Sequence, residues 1–472
     1  MLKLIIEKEL KDIISSTKFA VTFSICSILI LLSFYIGVRN YQVAQSQYEA
    51  SKTANVRQYE GITDWMRVQG YKIFLPPQPL ATLVSGVSND IGRTIEVRGR
   101  GELQSEDSRY GDDPIFAMFR FLDLEFIFSI VLSLFAILFG YDLINGEKER
   151  GTLRLTFSNA VPRAQYTTAK FIGSFLALAV PLLLPILIGV LFLPAFNIAL
   201  TTDEWMKLTL IIAAGLLSVG VFLSLALFVS AKTEKSSTSF LVLLSLWILM
   251  VMILPRLSVV GADLFVKVPS LDDINSQKSR FMSQIWNEDR AKMNSFVPPK
   301  SQDMQMVMGE FNKFMQNLAD ERDKKFNELA ARLNEDRKNR QSEQQQLAQF
   351  FSAVSPSALF TLAASEITGT SLRLEQEYMA QSRSYQQEYA KFMKEKTGMN
   401  TGGLSMVFRM VTDDNAAKPK PINIGELPQF NFTPLPSSSG LGYFAGYAGV
   451  LAAFNLLFFA GALAAFKRYD VR

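Results

Sequence analysis

The sequence predicts an all-α polytopic membrane protein: six transmembrane helices with two extracytoplasmic insertions, the second mostly long helices. Three observations carry this. Apolar residues make up 49% of the chain, with 37 phenylalanines. Charged residues fall to 19%, below the roughly 25% of soluble domains. The apolar residues are also bunched, in runs near the ~20 residues that a helix needs to cross a ~30 Å hydrocarbon core.

Residues 1–18, "MLKLIIEKELKDIISSTK", read as a cytoplasmic amphipathic helix on the membrane surface. Leu2, Ile5, Ile6, Leu10, Ile13 and Ile14 recur at helical spacing, with Lys3, Glu7, Lys8, Lys11 and Asp12 opposite. Acidic residues among the lysines, and the lack of a small-residue cleavage site, argue against a cleaved signal peptide. The first span covers residues 19–38. The first extracytoplasmic domain, residues 39–121, begins with polar, helical "YQVAQSQYEASKTANVRQYE". Its centre, "LPPQPLATLVSGVSNDIGRTIEVRG", has the Pro/Gly punctuation and β-branched residues of a small strand-and-turn region.

The second span is residues 122–144. Residues 145–167 form a charged cytoplasmic element, expected as about three turns of helix from Glu147 to Phe157 with a turn at "SNAVP". Spans three, four and five follow at 168–196, 205–229 and 237–254, the last stopping at Pro255-Arg256. The second extracytoplasmic domain is 261–439, the sixth span 441–466, and 467–472 a cytoplasmic tail.

Within the second insertion, Phe311, Met315, Leu318, Phe326, Leu329 and Leu333 share one helical stripe. Asp320/Lys324, Glu321/Lys325, Glu328/Arg332 and Asp336/Arg340 fall at i,i+4. A helix from Gln302 to Phe351 would be roughly 70–75 Å long, with room for a bend, and a second from Leu372 to Lys396 would return along it. The heptad count fails at Arg322, which argues against a regular coiled coil. "SPSALFTLAASEITGT" is an apolar helix too short for a comfortable span and is expected at the outer membrane surface. "LPQFNFTPLPSSSG" is a Pro-rich lead into the sixth span.

Basic residues orient the chain. Lys3, Lys8, Lys11 and Lys18 precede span one. Lys148, Arg150, Arg154, Arg163 and Lys170 lie between spans two and three, Lys232 and Lys235 between four and five, and Lys467 and Arg468 after six. "NIALTTDEW", between three and four, has neither Lys nor Arg. All basic clusters fall on one side if both termini are cytoplasmic.

Several chemistries are excluded. Without histidine there is no His-based metal site, general base or Ser-His-Asp triad. Cys26 is the single cysteine, so no intrachain disulfide forms. No GxxxxGK[ST] loop occurs, and "ITGTSLR" lacks the lysine and the strand-loop-helix context. Any ATP hydrolysis therefore belongs to another polypeptide. Asp123, Glu125, Asp142 and Arg256 lie at span edges, where charges reach water. The apolar span centres are poor material for a proton or sodium relay.

On its residues alone, the charged element between spans two and three reads equally well as an ordinary basic loop or as a helix on which a moving partner pushes. However, "EKERGTLRLTFSNAVPRAQYTTAKFIGSF" resembles the coupling-helix region of ABC-2 type transporter permeases (the type V exporter fold). The matching positions are Glu147, Glu149, Gly151, Thr152, Leu153, Ser158, Pro162, Arg163 and Lys170. The amphipathic start resembles that family's connecting helix, with Glu7 and Glu9 as its acidic positions. The six-span layout covers the whole chain, and the large insertions resemble the subgroup with enlarged extracytoplasmic domains.

The resemblance implies a permease subunit, with export as the expected direction, that is itself no enzyme and holds no cofactor. ATP and Mg would be bound by separate cytoplasmic ABC ATPase subunits. A second permease chain, identical or homologous, would complete the transporter, with spans one, two and five at the dimer interface. Membrane lipid and an extracytoplasmic protein complete the expected partners, nucleic acid is not among them, and the location is the bacterial inner membrane. Glu147, Glu149 and Arg150 would contact the ATPase. Gly151 and Thr152 would allow close packing beside Leu153, and Pro162 and Arg163 would fix the turn. The rival reading is a force-transmitting or scaffolding subunit that moves no substrate. An intramembrane or periplasmic hydrolase is the third, weakened by the absent histidines.

Overall fold

The computed structural model describes residues 2–88, 91–99, 101, 103, 122–158, 161–297, 304–397 and 421–468. Asn159 and Ala160 of the predicted turn, and the tail beyond Arg468, fall outside them. Among the described residues, six helices are long and apolar enough to cross a membrane. The protein is an all-α polytopic membrane protein.

The amphipathic start is helix α1 (Leu2–Ile14). Ser16 then accepts a hydrogen bond from the Phe19 N–H and starts α2 (Thr17–Arg57), the first span and its polar continuation. Strands β1 (Tyr71–Phe74) and β2 (Thr94–Val97) pair antiparallel, Tyr71 opposite Val97 and Phe74 opposite Thr94. Asp123 caps the second span, accepting from the Phe126 N–H and the Ser85 hydroxyl rather than simply facing water. That span comprises α3 (Leu124–Phe126), a π-helical stretch Ile127–Leu132, and α4 (Ser133–Gly140).

The expected three-turn cytoplasmic helix is instead two short helices, α5 (Asn145–Glu149) and α6 (Thr152–Ser158). They break at Gly151, whose φ of 74° is left-handed and breaks the α-helical path. The third and fourth spans are α7 (Arg163–Ala195) and α8 (Thr202–Lys232), the latter opened by a Thr201/Glu204 capping box. The fifth is α9 (Ser236–Trp247), a π-helical stretch Ile248–Ile253, and α10 (Leu254–Phe265). It runs past Pro255 because the π-helical stretch absorbs the proline. The second insertion contributes α11 (Leu271–Asn294), α12 (Met304–Ser352), α13 (Pro356–Thr368) and α14 (Leu372–Thr397), and α15 (Ser437–Lys467) is the sixth span.

Helix α8 lies at the centre of the bundle, with Val219 to Leu227 buried on every face. Small residues bring its neighbours close: a Cβ on Gly215 would lie 2.5 Å from Phe128, and one on Gly140 2.4 Å from Ala226.

Three findings revise the expected outer region. Helix α12 continues unbroken from Met304 to Ser352. Its antiparallel partner is α11, through Arg322–Asp289, Lys292–Glu321 and Lys325–Glu288 ion pairs, whereas α14 lies over the small sheet. Helix α13 is not on the surface but inside the bundle, against α8, α15 and the π-helical stretches of the second and fifth spans, where Phe360 meets Phe128 at 5.5 Å. Finally, the two insertions share a core. Tyr378, Tyr385 and Tyr389 of α14 are buried with Ile73, Ile95 and Val97 of the sheet, and the Tyr378 hydroxyl donates to the Ile73 and Arg93 carbonyls.

Candidate coupling site

Helices α1, α5 and α7 meet around one lysine. Lys170, two turns into α7, places its ammonium 2.6 Å from the Glu9 carboxylate of α1 and 2.7 Å from that of Glu147 in α5. The lysine side chain is 5% exposed, Glu9 7% and Glu147 11%. The Tyr166 hydroxyl donates to the second Glu147 oxygen at 2.5 Å, and Lys8 approaches Glu147 at 3.5 Å. Helix periodicity explains the convergence: Tyr166 and Lys170, at i,i+4, share one face of α7. Gly173 lies one turn on, where a Cβ would come 2.8 Å from that of Glu9, so its bare backbone lets α1 settle against the third span.

Burial pushes the Glu9 carboxyl above its usual range, and the Lys170 ammonium opposes that rise. A buried cation shared by two carboxylates pays heavy desolvation and repays it through short, charge-assisted bonds. Removing one member therefore disturbs all three helices.

A second junction ties the same element to spans four and five. The Ser230 hydroxyl accepts from the Ile144 and Asn145 N–H groups, and the Asn145 amide donates to Thr233 at 2.9 Å. The Glu149 carboxylate accepts from the Ser236 N–H at 2.9 Å and from its hydroxyl at 2.7 Å. Ser236 is the first residue of α9, so Glu149 supplies an acceptor to one of the orphan N–H groups at the start of the fifth span. A third junction reaches the sixth span. Arg163 donates to the carbonyls of Phe466 and Lys467, at 3.1 and 2.7 Å, closing the C-terminal end of α15.

Of the sequence-predicted residues, Glu9 and Glu147 face inward and meet each other's partner. Glu7 stays on the outer face of α1, paired with Lys3. Glu149 is committed to Ser236, while Arg150 is exposed. Gly151 makes the break between the short helices, and a Cβ there would meet nothing of this chain within 4 Å. Thr152 donates to the Glu147 carbonyl, and Leu153 is buried in the main core. Pro162 holds the extended position just before α7. Asn145, Ser230, Thr233 and Ser236 were missed. Their signal is the clustering of small polar residues at the ends of the second, fourth and fifth apolar runs.

The outward surface of this assembly comprises Arg150, Arg154 and Leu155 of the short helices and Lys3, Leu4 and Glu7 of α1, all exposed. It is a mixed charged and apolar patch on elements bonded to α7 and α9 through Lys170 and Glu149. Among the described residues no group of three His, Cys, Asp or Glu side chains could hold a metal ion. A search of curated proteins finds no significant match. The family model described as "ABC-2 family transporter protein" matches residues 4–471. The chain belongs to the ABC-2 transporter family as one of its membrane-spanning permease subunits.

Proposed function

We propose that this permease is driven by separate cytoplasmic ABC ATPase subunits that press on Arg150, Arg154 and the outer face of α1. The observation carrying this reading is the position of Lys170, which joins the two elements bearing that surface to the third span. A push on either short helix reaches span three through Lys170, span five through Glu149 and Ser236, and span six through Arg163. ATP and Mg are bound by the partner and none by this chain. A second permease chain, identical or homologous, completes the transporter, and export is the direction. Both termini are cytoplasmic in a bacterial inner membrane, as the basic clusters support.

Purification of the full-length permease in mild detergent tests this. Co-isolation of a nucleotide-hydrolysing subunit whose turnover depends on the permease is expected. Isolation of the permease alone under conditions that keep it folded contradicts the reading.

A further inference from the structure

The fifth span holds an irregularity with a consequence on the outer side. In its π-helical stretch the Leu254 N–H bonds to the Leu249 carbonyl, five residues back. The next donor in that series would serve Met250, but residue 255 is proline and has no N–H. The Met250 carbonyl thus lies inside an apolar bundle without its helical partner, a position that costs free energy unless another donor arrives. The Ser355 hydroxyl supplies it, and the Ser357 hydroxyl approaches at 3.4 Å. Both serines are buried at the turn between α12 and α13.

That turn is the lower end of a helical hairpin. The final turns of α12 descend along α10, where Gln344 meets Asp263 at 2.9 Å and Phe351 meets Phe265 at 6.0 Å. Helix α13 climbs back, about 20 Å at 1.5 Å per residue, to Gly440 at the start of the sixth span. Above the membrane α12 continues. From Arg337, which bonds the Pro269 carbonyl at 3.3 Å, back to Met304 is about 50 Å of helix braced by α11. One unbroken helix, with the turn at its foot, therefore joins the middle of the fifth span to the end of a long projection, and the fifth span begins at Ser236, which Glu149 holds.

We propose that the α11–α12 hairpin is a moving extracytoplasmic output of this permease, carried by the fifth span through the serine clasp on Met250. The proposal rests on the coupling reading above. A small tilt of the fifth span is enlarged along the projection, so the protein performs mechanical work outside the membrane as well as opening a path through it.

Distance measurement on the full permease–ATPase complex in lipid nanodiscs tests it. Spin labels replace Ser295 near the hairpin tip and Thr202 at the outer start of the fourth span, after Cys26→Ala. Trapping with ATP and vanadate is expected to shift this distance by about 5 Å or more, the scale of a one-turn displacement. S355A/S357A is expected to lose most of the shift while hydrolysis continues. Should that variant unfold, the triple variant P255A/S355A/S357A restores an N–H for Met250 and lacks the clasp. An unchanged distance in an actively hydrolysing complex overturns the proposal and leaves the coupling reading intact, as does a full shift in the clasp-less variants. Absence of any associated ATPase overturns both.

Discussion

Lys170 and Glu9, 161 positions apart in sequence, lie 2.6 Å apart in an interface that nearly excludes water. The lysine begins a membrane span and the glutamate belongs to a surface helix. Their bond, with the second bond to Glu147, ties α1, α5 and α7 together at one point.

Lys170→Met should therefore do more than delete a contact. It leaves two carboxylates buried together, a change that costs about 3–5 kcal/mol in comparable buried pairs. Loss of thermal stability in detergent and of ATPase coupling is expected. Neutralising all three positions, as E9Q/E147Q/K170M, should recover much of the stability but not the coupling. Thermal unfolding followed alongside ATP turnover separates the two, and a single variant as stable as the parent would contradict the assignment.

Arg150→Glu reverses an exposed charge outside the Lys170 cluster. Membrane insertion and unfolding temperature should stay at parental values while permease-dependent ATP hydrolysis falls at least about tenfold, the equivalent of 1.4 kcal/mol. Hydrolysis at the parental rate would show that this surface is not where the motor acts.

Gly151 divides the two short helices with a φ of 74°. Gly151→Ala should be strained by about 1–2 kcal/mol, because a Cβ disfavours that region, whereas Gly151→Asn should be milder. Comparing the two variants by chemical denaturation checks the ranking. Equal stability would mean that the break has another cause.

The core around α14 carries a pH dependence of definite sign. Burial pushes the Tyr385 and Tyr389 phenols well above their ordinary value. In the unfolded chain both ionise near pH ~10. The folded form holds its protons longer, so their contribution is fully present below that pH and is lost as pH rises further. Ultraviolet titration should show these two phenols ionising only together with loss of the α14 core. Early, reversible ionisation in the native protein would count against their burial.

Much of this was legible beforehand because hydrophobic runs report spans directly. The helical stripe from Phe311 to Leu333 likewise indicated a long outer helix. The residues of the main junction, Glu9, Glu147 and Lys170, were each identifiable from the resemblance. That they bond to one another was not, since nothing local pairs position 9 with position 170. The burial of α13 was hidden for a related reason: length and hydropathy alone suit a surface helix or a re-entrant one. One of its anchors is the Met250 carbonyl, which accepts from Ser355, and that vacancy in the helical ladder follows from Pro255 only once the π-helical register is known. The break at Gly151 was obscured by strong helix formers on both sides.

In the proposed coupling, a cytoplasmic ATPase presses on the surface formed by Arg150, Arg154 and α1. A photo-crosslinking residue at position 150, activated in intact cells, tests it most directly. The predicted product is a covalent adduct with a nucleotide-hydrolysing cytoplasmic protein, its yield changing when ATP is depleted. An adduct only with lipid or with extracytoplasmic proteins, or modification of position 150 by reagents that cannot enter the cell, would contradict it.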